Sequence, residues 1–291
     1  MLRPFSLQPL FLKICHLFVG TIIAFISLDN FISKVSVMDK MLYIAMSGAK
    51  QSLRGVAIKA NNLANANTTG FKADFAQARS MQAFGEGLPT RVFAMQERPG
   101  TNMTAGPIVE TGRDLDISVS QKTWISVMDQ GGNEAYTKVG TFNIRSDGAL
   151  VTSHGRQVIG EGGPIILPIP VDKVVFSDDG SIQVRPQGAP ANFMEVVDRL
   201  KIIEADNGQL EKGNDGLFRP REEELVNGLC GFCDISPTAR IMSGTLERSN
   251  VNPVHEMVDM INHQRQFEMQ MKLMKTAEEI DERHVSLLRI V

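Results

Sequence analysis

The sequence predicts an α+β protein in which N- and C-terminal helices pair as a coiled coil and an all-β domain is inserted between them. Three observations carry this. A heptad-spaced stretch lies near the N-terminus. Short alternating strands separated by turn signals fill residues 88–238. A capped, apolar-faced helix begins near residue 253. Two stripe-bearing helices at opposite ends of a chain cannot bury their stripes alone, so the β region between them must let the chain return.

The first 37 residues differ from the rest. Ile14 to Leu28 is an uncharged apolar run preceded by Arg3 and Lys13. It resembles a secretory signal or a short membrane helix, but it is short for a span and no Ala-x-Ala site follows. Met38 opens a new pattern, so residues 1–37 read as a segment upstream of the true start. The alternative is a membrane anchor holding a periplasmic scaffold or adhesin.

Residues 38–87 form the N-terminal helix and an extended exit. Leu42, Met46, Ala49, Leu53, Val56, Ala60 and Leu63 alternate steps of four and three. That spacing is a heptad seam, which turns one stripe toward a partner helix. The pattern stops at Asn61-Asn62-Leu63-Ala64-Asn65, followed by Thr68, Gly70, Phe71 and Lys72. Asn tolerates left-handed backbone and bonds its own neighbours, so Asn65 and Asn67 suit a helix end. Gly70 frees the backbone to turn and Phe71 offers an anchor.

Residues 88–238 read as the β domain. Leu115, Ile117 and Val119 alternate with polar residues. Asp147-Gly148 and Asp179-Gly180 are hairpin signals, and Val196 to Glu204 is the last strand expected, ending near the Asn207-Gly208 turn. Leu217 to Thr238, with the charge run Arg221 to Glu224, reads as a solvated loop. Cys230 and Cys233 have the spacing of half a zinc site or a redox pair, but further ligands and a βαβ context are missing, so the pair reads as coincidental.

Residues 239–291 carry the C-terminal helix. Asn252 is a good N-cap and Pro253 fits the first helical position. Val254, Met257, Val258 and Ile261 form an apolar face that Phe267, Met271 and Met274 continue, with Val285 and Leu288 beyond them. Asn250 and Val251 lead into it.

Composition narrows the function. The net charge is -3, which gives no electrostatic case for nucleic acid, and the 15 methionines suit helix interfaces between non-identical neighbours. His255-Glu256-Met257-Val258-Asp259 lacks the second histidine of a zinc-protease helix. Gly160-Glu161-Gly162-Gly163 leads into Pro164 and not into a phosphate-cradling helix. No motif groups a nucleophile with base and acid, so no catalytic, metal, cofactor or small-molecule site is expected.

The motif from Asn61 to Lys72 closely resembles the N-terminal signature of the bacterial flagellar rod and hook proteins. Ser243 to Asn252 is similar to their second shared motif. Thr111 to Asp116, Ala135 to Phe142 and Asp147 to Thr152 resemble their shared β module. Ser120 to Trp124 departs from the Gly-Asp-Gly turn of distal-rod and hook members, and Val139 stands where Asp is common. With the Met38 start, these departures favour the proximal-rod branch. The resemblance implies a structural, non-enzymatic subunit in the periplasmic part of the basal body, passed by the flagellar type III export apparatus and assembling with other rod proteins and copies of itself. The seam, the asparagine exit and the C-terminal face would then be the assembly interface.

Overall fold

The structure, a computed structural model, describes residues 42–82, 92–97, 99–190, 192–206, 208–226, 229–230 and 233–288. The apolar run of Ile14 to Leu28 and the start at Met38 lie outside the described residues. Helix α1 covers 42–64 and helix α2 covers Pro253–Leu288. Among the described residues no helix is long and apolar enough to cross a membrane. The described residues divide into two units. One lies within Met1–Leu53, Ala78–Gln96 and Gln264–Val291, and the other within Arg54–Gln77 and Glu97–His263.

The second unit holds most of the strands. Its largest sheet is antiparallel, in the order Ile202–Glu204, Thr123–Met128, Glu134–Thr137, Phe218–Pro220, Leu210–Lys212. A three-stranded sheet is built from Val171–Phe176, Ser181–Pro186 and Glu195–Arg199. The Asp179-Gly180 turn works as its residues predict: Gly180 sits at φ 90° and the Ser177 N–H donates to the Ser181 carbonyl. Two strands near the C-terminal helix pair backward in the chain, Ile241–Ser243 with Ile117–Val119 and Thr245–Glu247 with Ile108–Glu110. Alternation places Ile117, Ile125, Val127, Phe142, Leu150, Val158, Ile182 and Val184 in one dry core, each fully buried. A second cluster gathers Trp124, Tyr136, Ile203, Leu210 and Phe218, with the Trp124 and Phe218 rings 4.5 Å apart.

Two readings of the sequence need correction here. The stretch from Leu217 is not wholly a solvated loop. Gly213 to Gly216 makes a tight turn, so Phe218–Pro220 folds back on Leu210–Lys212 and joins the sheet, where Phe218 is buried. The turn signal lies at 213–216, and a reading that closed the strands at Asn207-Gly208 passed over it. Cys230 and Cys233 are not a coincidence of position either, because a disulfide joins them. The strand expected over Val196 to Glu204 is two, Glu195–Arg199 and Ile202–Glu204, in different sheets.

The first unit contains the opening of α1, the later part of α2 and an antiparallel hairpin pairing Ala78–Gln82 with Val92–Gln96. Every residue of Ala78–Gln82 is exposed.

Both helices bury a stripe that overlaps only in part with the one their apolar residues mark. On α1, Ala49, Ser52, Gly55 and Asn62 are buried, while Met46 and Leu53 stand 58% and 56% exposed. Of the remaining seam positions, Leu42, Val56 and Leu63 are half-buried and Ala60 is exposed. On α2, Glu256, Met260, His263, Phe267, Gln270, Met274 and Ala277 are shielded at alternating steps of four and three, and Asp259 is half-buried beside them. Val254, Met257, Val258, Ile261 and Met271 face water. The heptad period is therefore present on both helices but shifted, keeping Ala49, Phe267 and Met274 and leaving Met46, Leu53 and the first turns of the α2 face outside. The physical reason is close approach. A Cβ added at Gly55 would lie 2.9 Å from the His263 ring, and one at Gly48 would lie 2.5 Å from the Gln270 amide nitrogen. Small residues bring the backbone near, and polar side chains then fill what space remains.

Candidate assembly site

The exit of α1 is built by the asparagines. The Asn65 N–H donates to the carbonyls of Asn61 and Asn62, and its side-chain amide donates again to Asn61 at 2.9 Å. The Thr68 hydroxyl donates to the Asn65 side-chain oxygen. The last carbonyls of the helix are thus satisfied locally, which lets the helix stop at a fixed residue. Gly70 follows at φ 68°, and a Cβ there would lie 2.4 Å from the Lys138 carbonyl carbon, so glycine is required on both grounds.

Asn62 ties the exit back to the helix. It is 1% exposed, accepts from the Asp74 N–H at 3.0 Å and donates to the Asp74 carbonyl at 2.8 Å. This pair of bonds imitates a strand partner for one residue. The same amide reaches Glu256 of α2 at 3.2 Å. Lys59, one turn earlier, forms ion pairs with Glu256 and, at 2.8 Å, with Asp259. Burial pulls the Lys59 ammonium down, but Asp259 and Glu256 together hold it above the ordinary lysine value. Asp259 is held below the usual carboxylate range by its bond from Lys59.

The two sequence motifs meet around Lys72 and Asn250. Lys72 is fully buried, and its ammonium donates to Glu247 at 2.7 Å and to the Thr104 carbonyl at 2.9 Å. The same Glu247 oxygen accepts from the Gly106 N–H, and the Glu247 carbonyl accepts from Gly70. The Asn250 side chain accepts from the Ala73 N–H and donates to the carbonyls of Asn102 and Thr104. Lys212 lies 4.0 Å over the Phe71 ring and donates to the Lys72 carbonyl and the Asp74 carboxylate. A buried charge pair is costly to desolvate, and here backbone groups satisfy what the partners leave over. Burial pulls nearby Lys138 down to about 7, with Glu247 opposing and Lys72 adding to the fall. Its amine donates to the carbonyls of Ser120 and Gln121 and sits 4.9 Å from the Trp124 ring centre.

Asn252 caps α2 as its residue type predicts. Its side-chain oxygen accepts from the N–H groups of Val254 and His255 at 3.1 and 3.3 Å. Val251 beside it is buried.

Of the residues marked in the sequence, the structure brings Asn62, Asn65, Thr68, Gly70, Phe71, Asn250, Val251 and Asn252 together as one clasp within the second unit. Asn61 is exposed and, with Asn65, Thr68 and Phe71, lines a cleft of about 750 Å³ that His154, Arg156 and Lys212 also border. Val254, Met257, Val258 and Ile261 stand apart from the clasp, in water. Sequence reasoning passed over Lys59, Lys72, Glu247, Glu256 and Lys212. Lys72 and Glu247 stood inside the quoted motifs, but nothing in the sequence pairs two residues so far apart. Among the described residues no cluster of acidic, His or Cys side chains could hold a metal ion.

Residues 42–72 match the family described as Flagella basal body rod protein. Residues 119–184 match the Flagellar hook protein FlgE/F/G D1 domain, and 242–287 match Flagellar basal body rod FlgEFG protein C-terminal. The chain is 40% identical over 243 residues to the flagellar basal-body rod protein FlgF of Escherichia coli (strain K12), covering 83% of this chain and 95% of that one. It is 40% identical over 252 residues to FlgF of Salmonella typhimurium, covering 86% and 99%. Against the rod protein FlgG of Agrobacterium fabrum the identity is 29% over 259 residues, covering 83% and 96%. The chain belongs to the flagellar basal-body rod family, as a FlgF-like structural subunit of the basal body.

Proposed function

We propose that this subunit belongs to the proximal rod and polymerises through its two terminal helices to transmit torque. In this reading α1 and α2 pair as an antiparallel coiled coil, the β domain is an insertion between them, and the chain has no enzymatic role. Its partners are other rod proteins, copies of itself and, before assembly, the flagellar type III export apparatus. A contact that joins unlike surfaces and does not close generates an open helical filament.

The observation that carries the proposal is the rotation between buried and apolar stripes. The faces that meet within the chain are largely small and polar, at Gly55 against His263 and Lys59 against Glu256 and Asp259, with Met260, Phe267 and Met274 also shielded. Met46 and Leu53 on α1, and Val254, Val258 and Ile261 on α2, are left in water, with Val254 66% exposed. Apolar side chains repeated along one helix side are what a neighbouring subunit would cover. The cleft beside Asn61 and Phe71 adds a recess on the same unit as the clasp.

The test is Leu53→Asp and Val258→Asp in a strain lacking the gene. Both residues are exposed, so circular dichroism and thermal melting of the purified variants should match the parent within about 0.5 kcal/mol. Incorporation into purified basal bodies and swimming should both be lost. Variants that assemble and swim normally would refute the helix-face assignment.

A further inference from the structure

We infer that Cys230 and Cys233 are a post-export oxidation site. The dithiol is carried through export, and its closure outside the cytoplasm staples one excursion of the chain to the fold. The disulfide itself is the starting observation. It lies outside all three family-matched stretches, 42–72, 119–184 and 242–287.

The need for a staple follows from what surrounds it. The chain leaves the five-stranded sheet after Phe218–Pro220, where the Arg221 N–H donates to Gln209. It is caught again at Ser236, whose N–H donates to Ile202 and whose hydroxyl, with that of Thr238, donates to Glu204. Between these points the 3-10 turn Glu222–Glu224 buries nothing. The pairing of Leu225–Val226 with Leu229–Cys230 is a ladder of two residues. Such a hairpin has too little structure to hold itself. Cys233 packs against the cluster of Trp124, Tyr136, Leu210 and Phe218. The disulfide therefore joins the hairpin, through Cys230, to the one cysteine seated on the core.

Both cysteines are half-buried, so a thiol–disulfide oxidoreductase can reach them. The step balances with a protein disulfide as oxidant. One cysteine thiolate attacks the donor disulfide to form a mixed disulfide, and the second then displaces the donor. The two thiols lose two electrons and two protons, and the donor leaves as a dithiol. Cytoplasmic thiols stay reduced, whereas extracytoplasmic compartments favour the disulfide. The timing rests on the extracytoplasmic rod location proposed above.

The experiment traps thiols in living cells with N-ethylmaleimide, reduces the extracted protein, relabels it with heavy maleimide and maps peptides, which separates Cys230 and Cys233 from Cys15. In assembled basal bodies both cysteines should carry the heavy label. In a strain blocked in flagellar export both should carry the light one. Purified protein should be cleaved within residues 221–236 roughly tenfold faster after reduction, the order expected for opening so short a ring. Cys230→Ser/Cys233→Ser protein should behave like the reduced parent. Light label on assembled protein, heavy label in the export-blocked strain, or cleavage indifferent to reduction would each overturn the inference while leaving the assembly reading intact. An absence of the chain from basal bodies would overturn both.

Discussion

The β core and the terminal helices solve the burial problem in opposite ways. In the core, Ile125, Val127, Phe142, Leu150, Val158 and Ile182 are sealed from water by residues of their own chain. On α2, Val254, Met257, Val258, Ile261 and Met271 are all exposed, although they are as apolar as the core side chains. The core is therefore complete as a monomer. The helices keep unspent apolar surface, and their contacts within the chain rest on close backbone approach and on charged residues such as Lys59. The difference teaches that residue type alone does not say what a stripe is for. An apolar stripe beside a smaller, polar contact face is the kind of surface that the proposed assembly would cover.

Three changes test that contrast, beginning with the largest effect. Phe142→Ala opens a cavity in the sealed core beside Phe176 and should cost roughly 3–5 kcal/mol, read as a lower denaturant midpoint for all β signals together. A local loss confined to one strand would show that the core is not one cooperative body. Glu247→Gln leaves the buried Lys72 ammonium without its anion and should cost about 3 kcal/mol. Pairing it with Lys72→Met should restore part of that loss, and a double variant as unstable as the sum of the singles would deny the coupling. Asn252→Ala removes the cap of α2 and should cost about 1 kcal/mol, seen as reduced amide protection in the first turn of the helix, while the core melts at its usual midpoint. A shift of the core transition by Asn252→Ala would mean that the helix and the core unfold as one body.

Much of this arrangement was legible in the sequence, for local reasons. Asp179-Gly180 is a turn because glycine adopts positive φ, and Asn252-Pro253 starts a helix because of its own side chain and ring. The asparagine exit is equally local, since Asn65 bonds to Asn61 within one turn. The Phe218 strand was missed because its partner depends on a turn one step further along than the one chosen. The rotated stripes were unreadable for a deeper reason. A period marks positions by polarity, whereas the contact face is selected by size, and Gly48, Ser52 and Gly55 carry no hydrophobic signal. The Lys72–Glu247 pair and the Cys230–Cys233 bond depend on three-dimensional proximity and on chemistry that spacing only suggests.

The small-residue face of α1 sets an asymmetry in what the helix can tolerate. At Gly55 even one added carbon must displace the His263 ring, and at Gly48 it must displace Gln270. That face works by excluding volume and admits almost no vocabulary beyond glycine, alanine and serine. The opposite side, at Met46 and Leu53, stands more than half exposed and tolerates change more readily. Under the proposed assembly, the outer side is then free to be matched to a neighbour while the inner side stays fixed.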